Sequence, residues 1–85
     1  HGRLDLSNRG LTENDGVILA EALKQNPYIT ELNASHNDLG HSAVDIAGAS
    51  SLKKLDLSHN NLLANYVTPY LYNTNLIALN LEGNG

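Results

Sequence analysis

The feature that most constrains the fold of this chain is a short phrase that occurs four times. In each copy a leucine is followed two residues later by a second apolar residue and then by a polar residue. The copies begin at Leu4, Leu32, Leu55 and Leu79, so the intervals between them are 28, 23 and 24 residues. A unit that recurs at such an interval cannot bury its apolar side alone and must stack on its neighbours. The phrase therefore predicts a row of stacked units.

The composition agrees with narrow stacked layers in a single domain that covers residues 1–85. Hydrophobic residues make up 41% of the chain, yet phenylalanine, tryptophan, methionine and cysteine are all absent. Leucine, isoleucine, valine and alanine must therefore form the core, which suits regular layers. The lack of cysteine excludes disulfides and thiolate metal sites and favours a reducing compartment such as the cytoplasm. A protein exported without disulfides would have the same composition.

The charge distribution argues against nucleic acid and membrane partners. The formal net charge is −4, and the five basic residues, which are Arg3, Arg9, Lys24, Lys53 and Lys54, form no stripe. Affinity for nucleic acid or for an anionic membrane depends on clustered lysine and arginine. No apolar run approaches the roughly 20 residues that cross a bilayer.

The spacing of apolar residues and asparagines resembles the leucine-rich repeat family, whose unit is L-x-x-L-x-L-x-x-N-x-L. One stretch supplies Ile29, Leu32, Ala34, Asn37 and Leu39, and the next supplies Leu52, Leu55, Leu57, Asn60 and Leu62. A further copy begins with Leu76, Leu79, Leu81 and Asn84. The first, 28-residue unit resembles the ribonuclease-inhibitor type, and the later units resemble the shorter type of 23–24 residues.

This resemblance covers nearly the whole chain and implies an α/β solenoid. The expected architecture is a curved parallel sheet with helices or irregular turns on the convex side, in about three to four repeats. Neither end carries a convincing cap, so we expect the chain to be a piece of a longer protein.

The resemblance also gives a structural role to the ladder asparagines Asn37, Asn60 and Asn84. Their side chains are expected to point inward and to pair with backbone groups as the chain turns away from each strand. Arg9 holds the equivalent position in the first unit, and an arginine cannot pair in the same way. We therefore expect the first turn to be atypical.

The segments between the strands predict helices of decreasing regularity. Thr12 and Asp15 have the spacing of a helix cap, and Asn26-Pro27 would end that helix. A second, shorter helix is expected from Ser42 to Ala47, with Ser42 and Asp45 suggesting its cap, Val44 and Ile46 in the core and Gly48 at its exit.

The third return segment, 64–72, is expected to be a short or irregular helix. It contains Pro69 and three clustered tyrosines, which are Tyr66, Tyr70 and Tyr72. The tyrosines either fill the core in place of phenylalanine or form an exposed patch that contacts a partner.

The outward-facing strand positions form three columns of polar residues, which the resemblance identifies as the concave, protein-binding face. The first column is Arg3, Glu31, Lys54 and Ala78. The second column is Asp5, Asn33, Asp56 and Asn80, and the third is Ser7, Ser35, Ser58 and Glu82. Alternatively, these residues are the ordinary solvent-facing side chains of a sheet.

His36 and His59 occupy the same position in adjacent units and are expected to stack. Stacked imidazoles near an aspartate can bind a divalent metal or respond to pH. The alternative is a common polar turn in this family, and two histidines without a third ligand are a weak metal signal. We therefore expect no metal and no cofactor.

No motif for a nucleophile, a zinc protease or a phosphate loop is present, so the chain is not expected to be an enzyme. The favoured function is a non-catalytic module that binds a protein partner through the concave face. One alternative is the recognition domain of a larger enzyme or GTPase regulator, and another is a segment that self-assembles through its uncapped ends. Similar segments occur in cytoplasmic receptors, in regulators of small GTPases and in bacterial effectors delivered into host cells.

Overall fold

The computed structural model describes residues 2–63 and 75–84. In these ranges the chain forms an α/β structure of short strands and helices. The elements are β1 (Arg3–Asp5), α1 (Glu13–Lys24), β2 (Glu31–Asn33), α2 (Ser42–Ala47), β3 (Lys54–Asp56) and β4 (Ala78–Asn80). The expected third helix and its three tyrosines lie outside the described residues.

The four strands form one parallel sheet in the order β1-β2-β3-β4. The central leucines Leu4, Leu32, Leu55 and Leu79 are direct partners across this sheet, which confirms the register predicted from the repeat. Since side chains alternate along a strand, all four leucines share one face, and the residues on either side of each leucine share the other.

The core lies on the leucine face of the sheet, and among residues 2–63 and 75–84 it contains only small and medium-sized aliphatic side chains. The helices contribute Ala20, Leu23, Ala43, Ile46 and Ala47, and the strands and the segments beside them contribute the remaining leucines and alanines. Each fully buried leucine contributes about 1.5–3 kcal/mol to stability. The packing thus uses the narrow layers that the composition predicted.

Helix α1 begins and ends where its sequence signals predicted. The Thr12 N–H donates to Asp15 Oδ2 at 2.9 Å, and the Asp15 N–H donates to Thr12 Oγ1 at 3.4 Å, which completes a capping box. The helix ends at Lys24, shortly before Asn26-Pro27. On its buried face Gly16 lies against α2, where an added β-carbon would collide with the Ser42 hydroxyl.

Helix α2 has the predicted bounds but not the predicted cap. Its N-cap residue is His41, whose side chain makes no capping hydrogen bond. Ser42 is already inside the first turn, buried beside Gly16, and its hydroxyl donates to the Leu39 carbonyl at 2.6 Å. Ser42 is therefore the first residue of the helix, and its hydroxyl pairs with the preceding turn instead of capping the helix. Ile46 is buried as expected, whereas Val44 is only half-buried and Ala43 and Ala47 take the other core positions of the helix. Gly48 ends the helix.

Each ladder asparagine pairs with backbone groups of two successive turns. Asn37 Oδ1 accepts from the N–H groups of Arg9 and Leu11, both at 3.0 Å, and its amide donates to the Leu6 and Ala34 carbonyls at 2.9 and 3.0 Å. Arg9, Leu11 and Leu6 belong to the preceding unit. One short amide thus joins its own turn to the turn before it.

The other two asparagines repeat this pattern. Asn60 accepts from the Leu39 N–H at 3.2 Å, and Asn84 accepts from the N–H groups of Asn60 and Leu62 at 2.8 and 3.0 Å. Each ladder asparagine therefore forms hydrogen bonds with the turn of the preceding unit as well as with its own turn.

The first turn is regular, so the expectation that Arg9 makes it atypical is wrong. Its backbone is closed by Asn37 from the next unit, and an asparagine at position 9 is not required for this. Asn8 has a φ of 55°, which matches 57° at His36 and 55° at His59. The three turns thus place a residue of left-handed conformation at the same position, and asparagine and histidine are favoured there.

Among the described residues, neither helix has the length and apolar character that a membrane span requires.

Candidate binding face

The sheet face opposite the core carries the first and second columns, which together we call the outer face. It comprises the strand residues on either side of the central leucines. Most of these side chains are exposed, and Glu31, Asn33 and Asp56 are half-buried. The alternation of the strands thus brings together residues that are 23 to 28 positions apart in the sequence.

The first column is organised around the carboxylate of Glu31. Arg3 Nε lies 3.2 Å from Glu31 Oε2, and Lys54 Nζ lies 3.7 Å from Glu31 Oε1. The acid on β2 is therefore flanked by a cation on each neighbouring strand. Two positive charges against one negative charge leave this column with an excess of positive charge.

The second column is held in place by the serines of the third column. In each of the first three units the aspartate or asparagine Oδ1 accepts from the N–H and from the hydroxyl of the serine two residues later. The two distances are 2.9 and 2.7 Å for Asp5 and Ser7, 3.0 and 2.7 Å for Asn33 and Ser35, and 2.9 and 2.7 Å for Asp56 and Ser58. This Asx turn fixes one oxygen of each side chain, and no hydrogen bond within the described residues holds its other polar atom.

Asp5 shows the electrostatic effect of this turn most clearly. The hydrogen bonds from the Ser7 hydroxyl and the Ser7 N–H lower the pKa of its carboxyl, and the positive charge of Arg9 adds to the effect. Hydrogen bonds to the charged form of a carboxyl favour that form. Asp5 therefore presents a negative charge on the outer face at neutral pH.

The third column differs from the expectation that all its residues face a partner. Ser35 and Ser58 are each only 5% exposed, and each donates to the side chain of the residue two positions earlier, Asn33 or Asp56. Ser7 is half-buried, and Glu82 is exposed. The three serines thus hold the side chains of the second column in place through hydrogen bonds. They are not included in the surface that we propose as the binding face.

The outer face forms a shallow groove of about 570 Å³ along the sheet. Among the described residues it is lined by the first two columns and the central leucines, none of which is aromatic. The positive excess of the first column and the carboxylates of the second column lie side by side along its length. The groove can therefore exchange hydrogen bonds and ion pairs with a polar, mixed-charge surface.

His36 and His59 stack at the carboxyl end of the strands, as the repeat predicted. Their ring centroids are 4.4 Å apart and their planes differ by 15°. The stack continues onto Gly83, where an added β-carbon would collide with the His59 ring. Among the described residues no group of three histidine, cysteine, aspartate or glutamate side chains is arranged to hold a metal.

Two features of this face went unnoticed in the sequence. The first is the D/N-x-S turn, whose signal is an Asx residue followed two positions later by serine in three of the four units. The second is the position of Glu31 between two cations, whose signal is the alternation of charge at one repeat position. The first was readable from residue type alone, and the second from the charges that the repeat aligns in the first column.

Comparison with known proteins gave one match. The model of a leucine-rich repeat family matches residues 48–64, which contain β3 and the turn with Asn60. The comparisons with curated proteins and with solved structures found no match.

Proposed function

We propose, from the premise that this chain belongs to the leucine-rich repeat family, that it is a non-catalytic module that binds a protein partner. Leucine-rich repeats generally mediate protein–protein interaction, and the family is typically non-catalytic. The surface that we assign to the partner is the outer face, comprising Arg3, Glu31 and Lys54 of the first column and Asp5, Asn33, Asp56 and Asn80 of the second.

The observation that carries this assignment is the fixed orientation of the second column. Each of its first three side chains is held by two hydrogen bonds to the following serine. A side chain that is already ordered loses less conformational entropy when it binds. A row of such groups, with one free polar atom each, is suited to recognising a complementary polar surface.

The wider architecture that we infer is a solenoid with the outer face on its concave side. Parallel strands are spaced about 4.8 Å apart, whereas packed helices need about 8–10 Å between their axes. Helices α1 and α2 lie on the opposite side of the sheet from the groove. This mismatch in spacing would bend the sheet towards the outer face and surround a partner placed there.

The proposal is tested by removing one exposed ion pair from each side of the molecule. The immobilised chain is used to isolate binding proteins, and the affinity of each purified binder is then measured by calorimetry. We expect the double variant Arg3→Ala/Glu31→Ala to lower the affinity for a partner that binds the outer face about tenfold or more. The matched control Glu21→Ala/Lys24→Ala removes the 3.6 Å ion pair on α1 and should leave the affinity unchanged.

The proposal would be refuted by partners that bind both double variants equally well. It would also be refuted if the control variant alone lost binding, because the helix side would then be the interface.

A further inference from the structure

We propose that the outer face also binds a second copy of this chain, in a two-fold symmetric contact. The strands of the two copies run antiparallel across this contact, so that the first column of each copy meets the second column of the other. This goes beyond the proposed function, because a second copy would occupy the face when no other partner does. Either proposal can fail without the other, since self-association is measured with no partner present.

The charges of the outer face follow the same order on β1 and on β3. Each of these strands has a cation in the first column and an acid in the second, Arg3 with Asp5 and Lys54 with Asp56. The two positions lie two residues apart, which is about 6.6 Å along a strand. A strand that is turned end for end and laid face to face on an identical strand therefore sets each cation opposite an acid.

The other two strands obey the same relation with different groups. On β2 the carboxylate of Glu31 would face the side-chain amide of Asn33 of the second copy, and on β4 Ala78 would face Asn80. Asn33 Oδ1 accepts from Ser35, whereas no hydrogen bond among the described residues uses the Nδ2 donor of Asn33. Glu31 would therefore gain a donor, and no two like charges would lie opposite each other on the four strands.

A two-fold axis that lies between the two faces and runs across the strands produces this arrangement. In such a contact residue i of one copy meets residue j of the other, and residue j meets residue i. Arg3 of each copy then meets Asp5 of the other, and Lys54 of each copy meets Asp56 of the other. A single symmetric contact would therefore create four ion pairs between the copies.

The ion pairs within one copy leave these charges available. Arg3 and Lys54 share the single carboxylate of Glu31, at 3.2 and 3.7 Å. Among the described residues neither Asp5 nor Asp56 belongs to an ion pair. The Asx turns nevertheless hold both carboxylates in place. A second copy would thus meet charges that are already positioned, which lowers the entropic cost of binding.

The contact is small and polar, which limits its strength. Four strands with two outward residues each give eight side chains per copy, fewer than the roughly 20–30 residues a side of a standard interface. We therefore expect association in the high micromolar to millimolar range. A bend of the sheet towards the outer face would separate the two copies most at β2 and β3, where the long side chains of Glu31 and Lys54 lie.

The test is the mass of the 85-residue chain from micromolar to millimolar concentration, measured by sedimentation equilibrium. Arg3→Glu/Lys54→Glu makes the first column acidic, and Asp5→Lys/Asp56→Lys makes the second column basic. We expect each variant alone to self-associate at least about tenfold more weakly than the wild type, because like charges then meet. An equimolar mixture of the two variants should form a heterodimer at least as stable as the wild-type dimer, because each column again meets its opposite.

Two further variants separate this contact from general effects of charge and folding. Lys24→Glu/Lys53→Glu makes the same change of net charge at exposed positions outside the outer face and should retain most of the wild-type association. Asp5→Asn/Asp56→Asn removes the two acids but preserves the Asx turn, which Asn33 already forms. This variant should remain folded by circular dichroism and associate several-fold more weakly than the wild type.

Changes of NMR chemical shift on dilution locate the contact. We expect the amides of residues 3–5, 31–33 and 54–56 of the wild type to shift and those of α1 to stay constant. Added salt should weaken the association, because it screens exposed charges.

The proposal is overturned if the wild type remains a monomer throughout, or if the folded, oppositely charged variants do not associate when mixed. Shifts confined to α1 would also overturn it, since the contact would then lie outside the outer face. If circular dichroism shows a reversed variant to be unfolded, the conservative Asp5→Asn/Asp56→Asn variant decides. Association of that variant equal to that of the wild type would overturn the proposal.

Discussion

At the residue scale, the ladder asparagine joins neighbouring units because its side chain is both short and bifunctional. Asn60 is completely buried, yet its oxygen accepts from Leu39 and its amide donates to Ala34 and Leu57 at 2.8 and 3.2 Å. A buried polar group is stable only when it is paired. The asparagine satisfies the backbone of two turns and has its own polar atoms satisfied in return.

Replacing Asn60 with alanine should therefore lower the free energy of unfolding by about 2–4 kcal/mol, because several buried backbone groups lose their partners. Urea denaturation monitored by circular dichroism measures the loss. The control Asn14→Ala removes an asparagine from the exposed surface of α1 and should change stability by less than about 0.5 kcal/mol. An equal loss of unfolding free energy in the two variants would show that the buried hydrogen bonds of Asn60 contribute no more to stability than an exposed asparagine does.

At the element scale, the helices and strands are too short to be stable alone and depend on their ends. Helix α1 has twelve residues, and its first turn is held by the reciprocal bonds between Thr12 and Asp15. Isolated helices of this length are marginal in water. The cap therefore determines where α1 begins. The absence of a side chain at Gly16 lets Ser42 of α2 pack closely against α1.

The same cap predicts a pH dependence. The Thr12 backbone N–H and, next, the Thr12 hydroxyl lower the pKa of Asp15 in the folded chain. Since the folded state then holds this proton less tightly than the unfolded state, the contribution of Asp15 is complete above its unfolded pKa. It is lost as the pH falls below about 4 and passes through the lowered folded pKa.

Denaturation at pH 6 and at pH 3 compares the wild type with Asp15→Asn on this point. We expect the variant to lose less stability than the wild type between the two pH values, because asparagine has no proton to gain. An identical loss in both proteins would show that the acid sensitivity arises elsewhere.

At the scale of the whole molecule, burial is concentrated in the middle of the sheet. The central leucines of β2 and β3 are buried, that of β1 is half-buried, and all three residues of β4 are exposed. In a stacked array each unit is stabilised mainly by its neighbours, so the end units open at lower free energy than the middle ones.

Hydrogen exchange should follow this gradient. We expect the amides of residues 32–34 and 55–57 to exchange most slowly, and those of β4, which have a neighbour on one side only, to exchange at least about tenfold faster. Exchange measured by NMR residue by residue would reveal the order. Uniform protection of all four strands would indicate that the array unfolds as a single unit.

The sequence by itself determined the repeat, the register and the ends of α1. Leu4, Leu32, Leu55 and Leu79 were readable as partners because the repeat gives each one the same local surroundings. The capping box of α1 was readable because Thr12 and Asp15 are only three residues apart. Such features depend on neighbours along the chain, and the sequence lists those neighbours directly.

The tertiary structure alone decided which side chains remain available. Ser35 and Ser58 belong to an outward column by their alternation, but in the folded chain both are buried. Arg9 looked like a defect in its own turn, although that turn is closed by Asn37, 28 residues later. For Arg9 the deciding contact comes from the adjacent unit about 4.8 Å away, a distance that sequence spacing does not encode.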